Sequence, residues 1–283
     1  MTSPKLRSQH RCFGGVQGFY SHESAATGTT MNFAVYTPPQ AAERPVPVLF
    51  YLAGLTCTEE TFVIKAGAQR LAAELGLMLV AADTSPRGLN LPGETAAWDF
   101  GLAASFYLDA TVQPWAQHYR MASYINEELP ALIDAHFPTT GGQRGIFGHS
   151  MGGHGALISA LKFPQVWRSV SAFAPITNPS QVPWGQKAFR GYLGEDNRAW
   201  AAHDATELLK QGKRFPSPVR VDVGLSDQFL AQLAPDVLEQ AALAAGQPLA
   251  LHRHAGYDHG YYFVQSFMAE HLRHHAALLG CAA

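Results

Sequence analysis

The chain has 283 residues, of which 47% are hydrophobic and 15% charged; twenty basic and twenty-two acidic side chains give a formal charge of −2. That composition supplies a large buried core and argues against extended disorder. With no long run of like charge, it also lacks the electrostatic footprint that nucleic acid or an anionic membrane surface requires. The longest apolar runs, 46–52 and 77–82, have strand length rather than membrane length. The opening Met1-Thr-Ser-Pro-Lys-Leu-Arg has no apolar signal core. The expectation is a soluble, unexported protein forming one domain over 1–283. Cys12, Cys57 and Cys281 are widely separated, leave an odd thiol and match no zinc spacing, so they read as reduced thiols in a cytoplasm.

In chain order the pattern predicts strands at 31–36 and 46–52, a helix over 61–75, a strand at 77–82 and then a long excursion over 84–118. A helix over 119–137 follows, then a strand at 144–148, a helix over 152–163 and a strand at 169–174. A second excursion covers 175–218. The chain then runs through a strand at 219–224, a helix over 235–245, a strand at 249–254 and a final helix over 261–279. Such alternation marks a mainly parallel sheet with helices on both faces, an α/β fold. Several strands are too apolar to have a solvated face. In the helix over 119–137, Tyr124, Ile125, Leu129, Leu132, Ile133 and Phe137 recur at helical steps and form one apolar face. The two excursions are too long for ordinary connections and carry Trp98, Trp115, Trp184, Phe189, Tyr192 and Trp200. They read either as binding walls or as structural packing.

The segment Gly148-His149-Ser150-Met151-Gly152 fills the G-x-S-x-G pattern between a buried strand and a helix. This context predicts a nucleophile elbow and the α/β-hydrolase fold. Serine in that turn is strained, and flanking glycines remove the Cβ atoms that would collide. The hydroxyl then sits at a helix N-terminus, where free N–H groups favour developing negative charge. Met151 N–H becomes one oxyanion donor, and the loop after the strand at 46–52 supplies Leu55 N–H as the second, with Gly54 permitting close approach.

A serine hydroxyl needs a base, and the base needs a carboxylate to fix its tautomer. In this fold the order is Ser, acid, His, and ligands bind at the carboxyl ends of strands. Asp222 falls inside a strand, whereas Asp227 follows it; His252 and His254 fall inside the last strand, whereas His259 follows it. Position therefore selects Ser150, Asp227 and His259 as the catalytic residues. His149 and His154 are expected to pack locally, turned away from the hydroxyl. His271, His274 and His275 have spacings that could bind metal, but no cysteine or carboxylate pattern completes a site, so they are expected to be exposed partners of the helix dipole. No metal and no cofactor are expected. Cys57, two residues beyond Leu55, is expected to lie beside the oxyanion loop, so that thiol reagents inhibit by crowding.

Beyond the elbow, a series of motifs runs along nearly the whole chain. It includes Gly54-Leu-Thr-Cys-Thr-Glu, Asp83-Thr-Ser-Pro-Arg-Gly, Trp98-Asp-Phe-Gly, Pro183-Trp-Gly, Asp227-Gln-Phe-Leu and Gly256-Tyr-Asp-His. With these the sequence resembles the S-formylglutathione hydrolase, or esterase D, family. The resemblance implies cytoplasmic hydrolysis of S-formylglutathione, a small-molecule thioester, to glutathione and formate in formaldehyde detoxification, with side activity on small esters. It also implies the same three catalytic residues and a homodimer. Gly54, Cys57 and Trp184 are candidate substrate contacts, while Lys65, Arg87 and Lys187 are candidates for the glutathione carboxylates. The chain departs from the family pattern at Gly260 and Ala53, where serine is usual. Spacing alone leaves open a broad carboxylesterase or an acyltransferase on the same fold.

Overall fold

A computed structural model describes residues 3–281, and among these nine strands form one sheet. They are β1 (Lys5–Cys12), β2 (Gly15–Glu23), β3 (Thr30–Thr37), β4 (Val46–Leu52), β5 (Met78–Ala82), β6 (Thr139–His149), β7 (Ser169–Phe173), β8 (Val219–Gly224) and β9 (Leu249–His254). The order across the sheet is β1-β2-β3-β5-β4-β6-β7-β8-β9. The first three strands and the β3–β5 pair are antiparallel; from β5 through β4 to β9 every pairing is parallel. Parallel strands need helices on both faces, and β5 and β7 are accordingly buried at every position. This is the α/β-hydrolase fold, and no helix of the described residues is long and apolar enough to cross a membrane.

All seven strands expected from the sequence form, but β6 begins five residues earlier than its apolar run. β1 and β2 carry no run that marks them. Almost every residue of β1 is exposed, so an edge strand held mainly by main-chain bonds to β2 has no apolar pattern to display. The helix expected over 61–75 is two helices, Glu59–Lys65 and Gln69–Leu75, parted at Gly67 with its positive φ of 64°. A capping box between Thr58 and Thr61 starts the first of them. The helix expected over 119–137 starts at Met121 and passes through a π turn at Tyr124–Glu128 before Leu129–His136. The second excursion folds into helices, among them Pro183–Leu193. Its Phe189, Tyr192 and Trp200, together with Trp115 of the first excursion, are buried packing residues.

The C-terminal helix, Tyr261–Leu279, corrects one expectation from the sequence. His271 and His275 are fully buried rather than exposed. Their i,i+4 spacing is the inward stripe of the helix, and β7 presents Ser169 and Ser171 to it. His275 lies between Ser169 Oγ (2.6 Å) and Ser171 Oγ (2.8 Å). His271 joins Ser171 Oγ (2.8 Å) to Asp222 Oδ2 (3.0 Å) and stacks on Phe173 at 3.6 Å. Asp222, itself fully buried, also meets His254 Nε2 at 2.8 Å and accepts from Arg220 at 2.9 Å. His274 donates to Val170 O (3.1 Å). Buried polar groups persist when they are mutually satisfied, and here they tie β7, β8, β9 and the C-terminal helix together.

Burial pushes the His271 imidazole down from 6.5 to about 4. The unfolded chain takes up a proton between those values that the folded chain refuses. Stability therefore falls as pH drops from 6.5 to 4, by roughly 3 kcal/mol for this one group. His271→Gln keeps a hydrogen-bonding side chain that does not titrate. Urea titrations are expected to show that variant losing correspondingly less unfolding free energy across the same pH window, and an identical slope would remove His271 from the account.

Candidate active site

Ser150 sits between the end of β6 and the helix Met151–Lys162, at φ 58° and ψ −118°. That backbone is costly for any residue with a Cβ, and its surroundings leave no alternative. Ser150 N–H donates to Phe173 O (2.9 Å), and Ser150 O accepts from His154 N–H (3.0 Å). A Cβ on Gly148 would strike the Gly152 and Leu52 carbonyls, and one on Gly152 would strike the Leu52 and Ala53 carbonyls. The hydroxyl makes no capping bond to the helix it precedes, so capping is not what holds serine at this position.

Asp227 and His259 lie on loops at the carboxyl ends of β8 and β9 and face each other, Oδ2 to Nδ1, at 2.6 Å. The other carboxylate oxygen accepts Phe229 N–H at 2.7 Å. The Asp227 side chain is wholly buried, while the His259 side chain keeps 11% of its surface exposed. A carboxylate can only accept, so Nδ1 is the donor of this pair and Nε2 is the ring nitrogen left outside it. Phe229 meets the His259 ring edge-on at 5.1 Å from one direction, and His149 packs against it at 4.5 Å from another.

A cavity of about 200 Å³ opens over these groups. Its walls are the segment Gly54, Leu55, Thr56 and Cys57, then His149 and Ser150, then His259 and Tyr261, and the aromatics Trp98, Trp184 and Phe229. Six residues singled out from the sequence, Gly54, Leu55, Cys57, Ser150, Trp184 and His259, are brought together there, with Asp227 behind His259. His149 packs locally, its ring against His259 at 4.5 Å and Tyr261 at 5.6 Å, and it is also among the residues of the cavity wall, which the sequence did not suggest. Burial, and then the nearby charge of His259, hold its pKa well below the usual imidazole value, so it stays neutral. Sequence reading left Trp98 open between wall and packing, and missed Phe229 and Tyr261 as wall residues. Phe229 and Tyr261 each follow Asp227 and His259 by two positions, a spacing that could have marked them; nothing local marked Trp98 over the other excursion aromatics.

The segment after β4 is firmly braced. Thr84 Oγ1 (2.6 Å) and Arg87 (3.1 Å) both donate to Cys57 O, and Arg87 is itself bonded to Asp83 at 2.6 and 2.9 Å. Tyr107 donates its hydroxyl proton to Ala53 O (2.9 Å). Thr56 N–H is bonded to Ala103 O and Cys57 N–H to Gly54 O. Leu55 N–H and Met151 N–H have no backbone acceptor among the described residues, which leaves two donors available beside Ser150. No group of three or more metal-binding side chains is assembled among the described residues.

Comparisons with known proteins agree with this architecture. The family profile described as "Putative esterase" matches residues 24–274. The chain is 52% identical over 273 residues to the S-formylglutathione hydrolase of Paracoccus denitrificans, covering 96% of this chain and 97% of that one. It is 52% identical over 277 residues to that of Mus musculus, covering 97% and 98%. Among solved structures, an S-formylglutathione hydrolase from Agrobacterium tumefaciens superposes with a TM-score of 0.95 at 48% identity, over 97% of this chain and 99% of that chain.

Two outcomes follow from this geometry. Ser150→Gly relieves a strained φ, and even after the larger backbone entropy of glycine is charged it is expected to gain about 1 kcal/mol of stability. Thermal unfolding reads this directly, and a lower melting temperature would contradict the strain. The second concerns Cys57, whose pKa burial raises, so that its thiol remains protonated at neutral pH and reacts slowly. Modification there is expected to block the cavity, and Cys57→Ala to lose sensitivity to thiol reagents; equal sensitivity would place the relevant thiol elsewhere.

Proposed function

The chain belongs to the S-formylglutathione hydrolase family of esterases, and from that membership we propose that it cleaves S-formylglutathione to glutathione and formate through Ser150, His259 and Asp227. The observation that supports these roles best is the 2.6 Å contact between His259 and Asp227 beside a cavity that also contains Ser150.

In this mechanism His259 Nε2 takes the Ser150 hydroxyl proton as Oγ attacks the formyl carbon. The carbonyl π pair moves onto oxygen, where Leu55 and Met151 N–H groups stabilise it. The tetrahedral species collapses with cleavage of the C–S bond, and the imidazolium returns its proton to the departing sulfur. Thiolates leave readily, so proton donation matters less here than in ester cleavage. Water then gives one proton to His259 as its oxygen attacks the formyl-serine, the second tetrahedral species collapses as that proton passes to Ser150 Oγ, and the formic acid released loses its remaining proton to solvent as formate. Asp227 stays ionised throughout and stabilises the imidazolium without taking its proton.

Gly54, Cys57 and Trp184 are proposed as the substrate-facing wall, with Trp98 and Phe229 extending it. A cytoplasmic setting and a homodimer belong to the same proposal and rest on the family resemblance.

Ser150→Ala is expected to abolish turnover of both S-formylglutathione and p-nitrophenyl acetate without loss of the fold. Asp227→Asn is expected to lower kcat by roughly four orders of magnitude through the wrong imidazole tautomer. Steady-state kinetics on purified protein check both, and undiminished activity of the Ser150→Ala enzyme would overturn the assignment. A kcat/KM for S-formylglutathione no higher than for the nitrophenyl ester would instead favour a general carboxylesterase.

A further inference from the structure

Formyl is the smallest acyl group and offers almost no surface for recognition. Whatever separates one formyl thioester from another must therefore be read on the thiol that leaves. The glutathionyl leaving group carries two carboxylates and one ammonium, a net negative charge. A peptide extends about 3.5 Å per residue, so a cavity of about 200 Å³ can hold the thioester but not both ends of the tripeptide. At least one carboxylate must emerge at the rim.

Three cations neighbour residues of the cavity wall: Arg87 at Cys57, Lys187 on the helix that carries Trp184, and Lys65 at Tyr261; two of them are already ion-paired. Arg87 is bonded to Asp83 and to the Cys57 carbonyl, bracing the loop after β4. Lys187 is ion-paired with Asp99. Lys65, the last residue of the helix Glu59–Lys65, has no carboxylate within ion-pair distance among the described residues. Its Nζ stands 5.9 Å from the centroid of the Tyr261 ring, and its charge is felt at the Cys57 thiol. Tyr261 and Cys57 are both cavity wall. The nearby Asp258 carboxylate is turned back to Gly260 N–H at 2.9 Å, and Glu59 is taken by Arg7. An exposed ammonium held against an aromatic face at the entrance, with no anion of its own, is suited to take one from the ligand.

We propose that Lys65 is the anion anchor of the site: its ammonium takes a carboxylate of the glutathionyl leaving group while the formyl thioester lies against Ser150. The proposal rests on S-formylglutathione being the substrate. The contact is remote from the reacting bond and equally present before and during the reaction, so it acts on KM more than on kcat. A neutral ester cannot use it.

The test is steady-state kinetics of the wild-type, Lys65→Met and Lys65→Arg enzymes on S-formylglutathione and p-nitrophenyl acetate, at low and high salt. Lys65→Met is expected to raise KM for S-formylglutathione about three- to fivefold, the range of a partly exposed ion pair, with kcat changing far less. The ratio of kcat/KM for the thioester to that for the ester falls by the same factor, Lys65→Arg restores most of it, and salt narrows the gap between wild type and Lys65→Met. An unchanged ratio, or an equal loss on both substrates, would overturn the anchor while leaving the proposed activity intact. A wild-type enzyme that cleaves the nitrophenyl ester but not S-formylglutathione would overturn the activity and the anchor together.

Discussion

The left-handed backbone at Ser150 is the constraint around which the site is organised. A serine at φ 58° costs on the order of 1–3 kcal/mol, and it persists only because neighbouring elements close off every relaxed alternative. β7 holds its N–H through Phe173 O, the following helix holds its carbonyl through His154 N–H, and the carbonyls of Leu52, Ala53 and Gly152 fill the space a side chain at 148 or 152 would need. The turn places Ser150 in the cavity wall and leaves Met151 N–H at the helix start without a backbone acceptor among the described residues. The proposed nucleophile and one proposed oxyanion donor thus share one local conformation, and a Cβ at either glycine beside them would collide with carbonyl oxygens.

Much of this was legible in the sequence because it depends on local covalent rules. Glycines two residues either side of a serine, placed between a buried strand and a helix, state a steric requirement directly. Strand ends were legible too, and they alone separated Asp227 from Asp222 and His259 from His254. Charge on a long amphipathic helix was not legible. A histidine at 271 or 275 reads as solvated until the serines of β7 and the carboxylate of β8 are seen opposite it, and those partners lie about 50 to 106 residues away in the chain. β1 escaped notice for a related reason: its stability comes from main-chain bonds to β2, and main-chain bonds leave no trace in side-chain pattern. The place of His149 in the cavity wall was not legible because adjacency to Ser150 fixes only where its Cα lies, whereas its ring packs against His259 and Tyr261, more than a hundred residues on in the chain.

The two departures from the family pattern fall where the structure asks little of a side chain. Ala53 contributes its carbonyl, which receives the Tyr107 hydroxyl, and a backbone acceptor is indifferent to the loss of a serine hydroxyl. Gly260 precedes the C-terminal helix without any side-chain cap, and the Asp258 carboxylate accepts its N–H. Serine at that position would ordinarily cap an N–H in the first turn of the helix for about 1 kcal/mol, and the helix forms without that contribution. Neither residue is itself among those that line the cavity at Ser150, although each is the chain neighbour of one that is.

A second Asp–His pair shows what separates catalytic from structural chemistry in this fold. Asp222 lies five residues before Asp227, and His254 five before His259, so the two pairs form successive layers on neighbouring strands. The lower layer even contains a hydrogen-bonded Ser171–His271–Asp222 series. By atom types alone it matches the site above it. Yet Ser171, His271 and Asp222 are all fully buried, Ser171 is shared with His275, and its backbone belongs to a regular strand rather than a strained turn. No electrophile can reach it, and its imidazole nitrogens are already engaged. In the upper layer Asp227 anchors one nitrogen of His259, while a cavity adjoins the ring and the serine. The same three side chains thus act as a clamp where they are saturated and sealed, and as a candidate catalyst where the chain ends a strand and leaves one nitrogen facing open space.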